Sequence, residues 1–172
     1  MKFILSVTSL GVALLAGSTA QAADVANFTF TGEIIGTTCS IRTTDLTFPL
    51  GNVERDTLPN NGSTSPLVVR HLVSNGCDAT SVRITAAGTP APSTASLFAV
   101  TGGATGVGVE LFANDTGDLT GRLVPNSSTG VVVAPAVNNG QYTFSARYHR
   151  HVSAPLVRGD ARSSATITLD YL

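Results

Sequence analysis

Lysine occurs once, at Lys2, and tryptophan not at all. Only 12% of the 172 residues are charged. Beyond the first residues, nine arginines stand against 11 acids, a net charge of −2. Nucleic-acid binders gather Lys and Arg on one face, so no nucleic-acid partner is expected. Without tryptophan and with only three tyrosines, stacking platforms for sugar rings are scarce. There is no G-x-S-x-G elbow and no H-E-x-x-H, and the glycine-rich run from Gly102 to Gly108 lacks the Lys and following Ser/Thr of a phosphate loop. Ser, His and Asp are present, but a triad is defined by geometry. An enzyme is not expected, and no cofactor is implied. The longest apolar run, about residues 3–16, falls short of the roughly 20 residues that a membrane-spanning helix needs.

That run belongs to a secretory signal. Lys2 supplies the positive start, the apolar stretch follows, and Ala20-Gln21-Ala22 offers a small-residue cleavage site. Cleavage after Ala22 is preferred, with Ala20 as the alternative. The remaining 150 residues fit one domain with its own core. Two cysteines, Cys39 and Cys77, then face an oxidising compartment, where a lone pair is expected to close. Metal ligation is disfavoured: there is no C-x-x-C, and the three histidines are not at ligand spacing to either cysteine.

The chain is rich in Thr, Val, Ser, Gly and Ala, and short β-branched runs alternate with turn signals, the pattern of an all-β sandwich or barrel. The predicted strands are 28–41, 46–50, 67–74, 81–86, 97–101, 107–113, 131–134, 141–152 and 161–171. No helix is expected after the signal. Asn- and Gly-bearing loops fall at 59–63, 114–117 and 138–140, and 89–93 reads as a loop rather than a linker. Gly102 to Gly108 reads as a flexible turn between strands. His149 and His151 would share a strand face, yet no third ligand accompanies them; Arg150 reads as marking a solvated face. In the last ten residues, S-S-A-T-I-T-L-D-Y-L, Ala165, Ile167, Leu169 and Tyr171 fall on one face. Such a strand is unusual at a terminus, where chains tend to fray.

These features together resemble the pilin subunits of chaperone-usher fimbriae, of the type 1-like major-subunit kind. The resemblance runs through the signal, F-T-F-T-G-E-I-I-G-T-T-C-S-I at 28–41, N-G-C-D around Cys77, T-G-V-G-V-E-L-F at 105–112 and Y-T-F-S-A-R-Y at 142–148. The terminus carries it furthest: Gly159 is fourteenth from the end and Tyr171 is penultimate. It implies an incomplete immunoglobulin-like β-sandwich, missing its last strand, with an N-terminal donor strand. The divisions are 1–22 signal peptide, 23–31 donor extension and 32–172 pilin domain.

The resemblance further implies a structural subunit of a surface fimbria that polymerises by donor-strand exchange and supports adhesion. Its partners would be a periplasmic pilus chaperone, an outer-membrane usher and neighbouring pilin subunits, in a homopolymer exported through the periplasm to the cell surface. Gly159, Ile167, Leu169, Tyr171 and Leu172 would form the chaperone-binding terminal motif, by strand addition at an open edge. In the extension, Ala26, Phe28 and Phe30 alternate on one face as donor residues; Phe28 and Phe30 as core of the first strand is the competing reading. Minor, adaptor or terminator pilins and a secreted carbohydrate-binding adhesin are the alternatives. An outer-membrane barrel fits less well, because its strands need about 9 to 11 residues each with a lipid-facing apolar set.

Overall fold

The computed structural model describes residues 39–41, 44–75, 79–92, 94–114, 116–134, 140–151 and 154–172, all within the unit Ile35–Leu172. The expected signal, the donor segment with Ala26, Phe28 and Phe30, and Cys77 lie outside the described residues.

Among the described residues ten strands follow one another: β1 (Ser40–Ile41), β2 (Val68–Asn75), β3 (Val82–Ala87), β4 (Pro90–Ala91), β5 (Thr94–Ala99), β6 (Val107–Asn114), β7 (Arg122–Leu123), β8 (Val131–Val133), β9 (Gln141–Arg150) and β10 (Thr166–Tyr171). Among the described residues they form two sheets. The larger runs β1-β2-β9-β6-β5-β4 with β7 beside β6, and the smaller runs β10-β3-β8. Every named ladder is antiparallel.

Period-2 patterning decides which side chains meet between the sheets. From the larger sheet come Leu72, Phe98, Val109, Leu111, Ala113, Leu123, Tyr142, Phe144 and Ala146; from the smaller come Val82, Ile84, Ala86 and Val133. Val82 and Ile84 are wholly buried, each contributing about 1.5–3 kcal/mol by burial. The β3 strand keeps the alternate Arg83 and Thr85 half-buried and Ala87 exposed, as a sheet with one face on a core should. β6 differs in being buried at all eight positions, because β9 flanks one edge, β5 and β7 the other, and both of its faces are covered.

Five expected strands, 67–74, 81–86, 107–113, 131–134 and 141–152, appear within two residues of their predicted ends. The strand expected at 97–101 begins earlier, as β5. Of 28–41, only the last residues are described, and they hold β1. The strand expected at 46–50 is absent as a ladder. Leu46, Phe48 and Leu50 do alternate onto the core, but Pro49 has no N–H to donate and the Leu50 N–H turns back to the Phe48 carbonyl at 2.9 Å. Apolar alternation there signals contact with the core without strand pairing. The 161–171 strand is shorter than expected and starts at Thr166; Ala165, placed by alternation on one face with Ile167 and Leu169, lies before it and is exposed.

Two short strands were not predicted. β4 lies inside the supposed 89–93 loop and pairs β5; as the sheet's edge it carries Pro90, which resists further pairing. β7 is too short for any period to show, yet its Leu123 is 1% exposed in the core. A single 3-10 turn, Arg55–Thr57, is the one helical element among the described residues.

Candidate functional site

The last strand, β10, pairs β3 from Thr166↔Ala87 to Tyr171↔Val82, and the Leu172 N–H extends the ladder to the Ser81 carbonyl at 3.0 Å. Among the described residues no strand lies along its other edge. Backbone donors and acceptors on such an edge form a template for another chain. Ile167 and Leu169 turn inward against the core, while Tyr171 and Leu172 are 38% and 54% exposed.

Tyr171 also reaches across the sandwich. Burial raises its phenol pKa, and Tyr142 on β9 adds to the rise through its charge and a side-chain hydrogen bond. Tyr142 is itself 1% exposed. The penultimate tyrosine thus links the free edge to the largest buried side chain of the opposite sheet.

The segment leading into β10 is fastened to the glycine-rich run. Thr101 bridges Arg162, Gly103 bridges Asp160, and Thr105 bridges Val157. Tyr148 Oη donates to the Ala161 carbonyl at 2.6 Å, and Thr105 Oγ1 to the Pro155 carbonyl at 2.7 Å. Gly159 sits at the tightest point. A Cβ there would stand 2.5 Å from the Gly103 carbonyl carbon and 2.6 Å from the Ala104 nitrogen, so only glycine fits without displacing backbone.

Cys39, beside β1, is disulfide-bonded. The chain has one other cysteine, Cys77, outside the described residues. β1 pairs the end of β2 through Ser40↔Asn75, and Asn75 precedes Cys77 by two positions.

A second cluster was not anticipated from sequence. Glu110, 3% exposed on β6, faces Arg147 and His149 of β9 and Arg122 of β7. Arg147 Nε donates to Oε2 at 2.6 Å; Arg122 Nη2 and His149 Nδ1 lie 3.0 and 2.9 Å from Oε1. Arg147 also stacks over the Phe112 ring, 5.7 Å from its centroid. Burial pushes the Glu110 carboxyl up, but the Arg147 hydrogen bond and the charges of Arg122, Arg147 and His149 outweigh it and hold the pKa below its ordinary value. The signal for this site was Glu110 itself, a lone acid inside the apolar run V-G-V-E-L-F. Its partners are 12 to 39 positions away in sequence, which no short motif records.

The expectation that Arg150 marks a solvated face is corrected by its contacts. His149 bonds Glu110, Arg150 donates to the carbonyls of Leu58 and Pro59, and His151 is 5% exposed beyond the strand's end. Arg150 and Nδ1 of His149 make these internal contacts because β9 lies between β2 and β6. No metal-ligating group of three or more is present among the described residues.

Residues 28–172 match the family described as fimbrial protein. This chain belongs to that family. The fimbrial subunit is 31% identical over 181 residues to the type-1 fimbrial protein, A chain, of Escherichia coli, covering 98% of this chain and 95% of that one. It is 29% identical over 182 residues to an uncharacterized fimbrial-like protein, SfmA, of Escherichia coli K12, covering 99% and 98%. Among solved structures, the P pilus rod subunit PapA matches with a TM-score of 0.59 at 19% identity, over 85% of this chain and 100% of that one. A chaperone-usher pilus structure matches at 0.60 and 20% identity, over 91% and 100%. The fimbrial subunit thus has the immunoglobulin-like β-sandwich of pilins.

Proposed function

We propose that this fimbrial subunit is a structural subunit of a chaperone-usher surface fimbria and polymerises by donor-strand exchange to support adhesion. The observation that carries this reading is the edge of β10, paired on one side by β3 and unpaired on the other among the described residues. Ile167 and Leu169 pack beneath it. An added strand would satisfy the open backbone groups and cover that apolar row. A periplasmic chaperone supplies the strand first, holding Tyr171 and Leu172; the extension of a neighbouring copy, with Ala26 and Phe28 pointing into its groove and Phe30 at the junction with the first strand, replaces it at the outer-membrane usher. Gly159 keeps the segment before β10 flush against Gly103 and Ala104. The Cys39–Cys77 bond ties the start of the domain to the end of β2. The protein works by binding alone and is not an enzyme.

Deletion of residues 23–29 tests the assignment. The shortened subunit should still co-purify with a chaperone and accept a neighbour's strand, but it cannot donate its own. The heat- and SDS-resistant ladder of fibre fragments should therefore vanish. Phe28→Asp should reproduce this, since it forces an unpaired carboxylate into an apolar groove. A ladder that survives both changes rules out the donor role.

A further inference from the structure

We propose that Arg122, Arg147 and His149, oriented by Glu110, form a binding site for an oxyanion, a carboxylate or a sulfate- or phosphate-type group, on the face of the large sheet turned away from the small one. Alternation sets the face: Val109 and Leu111 point into the core, so Glu110 between them points the other way. The site is separate from the β10 edge and does not depend on the polymerisation reading.

Three observations carry it. The first is accessibility. Glu110 is 3% exposed, whereas the side chains of Arg122, His149 and Arg147 are 34%, 23% and 19% exposed. Solvent therefore meets the cations and not the carboxylate, which disfavours a cationic ligand. The second is charge. One carboxylate stands against two guanidiniums, leaving the cluster net positive even with His149 neutral.

The third is spare donor capacity. Each cation gives Glu110 a single nitrogen, so Arg122 Nη1, both Nη atoms of Arg147 and His149 Nε2 remain available among the described residues. Arg122 Nε and Ser145 Oγ are buried with no hydrogen-bond partner. Both flank Phe112 in register, Arg122 on β7 and Ser145 on β9, and Ser145 precedes Arg147 by two residues on the same face. Both atoms are shielded from solvent, so a ligand meets the outer nitrogens of the forks and the His149 ring. An oxyanion supplies acceptors only, and the planar guanidinium fork matches it bidentately. Glu110 fixes the two forks in advance, which lowers the ordering cost of binding.

The test is a titration of the full chain, purified from the periplasm, with sodium sulfate against sodium chloride at matched ionic strength, read by calorimetry and by the NMR signals of the His149 ring. Phosphate and acetate arms separate tetrahedral from planar anions. Saturable binding is expected, weakened roughly tenfold by Arg122→Gln, the scale for losing one charge-assisted contact. Glu110→Gln removes the negative charge and should tighten binding; a cluster with a purely structural role would not respond this way. His149→Gln, which removes the imidazole, should weaken it. No saturable binding of any of the three anions beyond chloride overturns the proposal, as does binding that Arg122→Gln leaves unchanged. Should Glu110→Gln fail to fold, Arg122→Gln and His149→Gln decide alone.

Discussion

Tyr171, one residue from the end of the chain, is hydrogen-bonded to Tyr142 in the opposite sheet. A chain terminus that would otherwise fray is thereby anchored to a side chain 1% exposed. Tyr171→Phe should cost about 1 kcal/mol, the net value of one hydrogen bond, and Tyr171→Ser more, because the ring's contact is lost as well. Denaturant titration of the purified subunit distinguishes the two. Equal stability of both variants and the parent would contradict an anchoring role.

Tyr171 also sets an alkaline limit. The folded-state pKa of Tyr171 is raised above its ordinary 10.0, and that of Tyr148 is raised by burial. A raised pKa contributes stability that is fully present below the unfolded value and is lost as pH rises through the folded one. Melting temperature should therefore fall above about pH 10, and Tyr171→Phe should flatten that fall.

Glu110 acts at the other end of the scale. Its pKa is lowered from 4.5, so its contribution is present above that value and disappears as pH falls through the lower folded-state pKa. Glu110→Gln should abolish this acid-side dependence. At neutral pH, Glu110→Ala should cost about 3 kcal/mol, the low end for breaking a buried ion pair, since Arg122 is a third exposed and can rehydrate. Unfolding curves at pH 3, 5 and 7, three settings about the ordinary carboxylate pKa, give the comparison. A parent and a Gln variant with parallel pH profiles would show that Glu110 does not titrate with folding.

Gly159→Ala is expected to destabilise by about 1–3 kcal/mol, the range for overpacking. Its methyl would enter the space held by Gly103 and Ala104. Detachment of the 157–162 segment should follow, freeing its backbone to enter the trypsin cleft at Arg158 and Arg162, whose side chains are already exposed. Limited proteolysis reports this directly: new cleavage after these two arginines in the variant, absent from the parent under the same conditions, is the expected result.

Cys39→Ser should lower stability by about 2–5 kcal/mol, the usual effect of losing a native disulfide from a small secreted domain. The loop between Cys39 and Cys77 is long, so the unfolded chain gains much freedom when it opens. Reductant should reproduce the mutant's melting temperature in the parent. Free thiols in the purified subunit would refute the pairing.

Local chemistry made much of the architecture legible in advance. Val82, Ile84 and Ala86 alternate with polar neighbours, and this period alone places them on a buried face. The same reasoning found Ile167 and Leu169 in the terminal strand. A cysteine count of two leaves a single intrachain pairing.

Tertiary structure decided what depends on who lies opposite. Leu46, Phe48 and Leu50 carry the alternation of a strand, but a ladder needs a partner edge, and none pairs with them among the described residues. Pro90–Ala91 and Arg122–Leu123 are too short to show a period and are strands because β5 and β6 stand beside them. Gly159 looks like any exposed glycine until the 101–105 backbone is brought against it. Glu110 is the clearest case. In sequence it is an acid misplaced in an apolar run. Only the pairing of β6 with β7 and β9 supplies the three cations that offset its burial, because such a desolvated charge persists only when partners distant in the chain are held within hydrogen-bond reach.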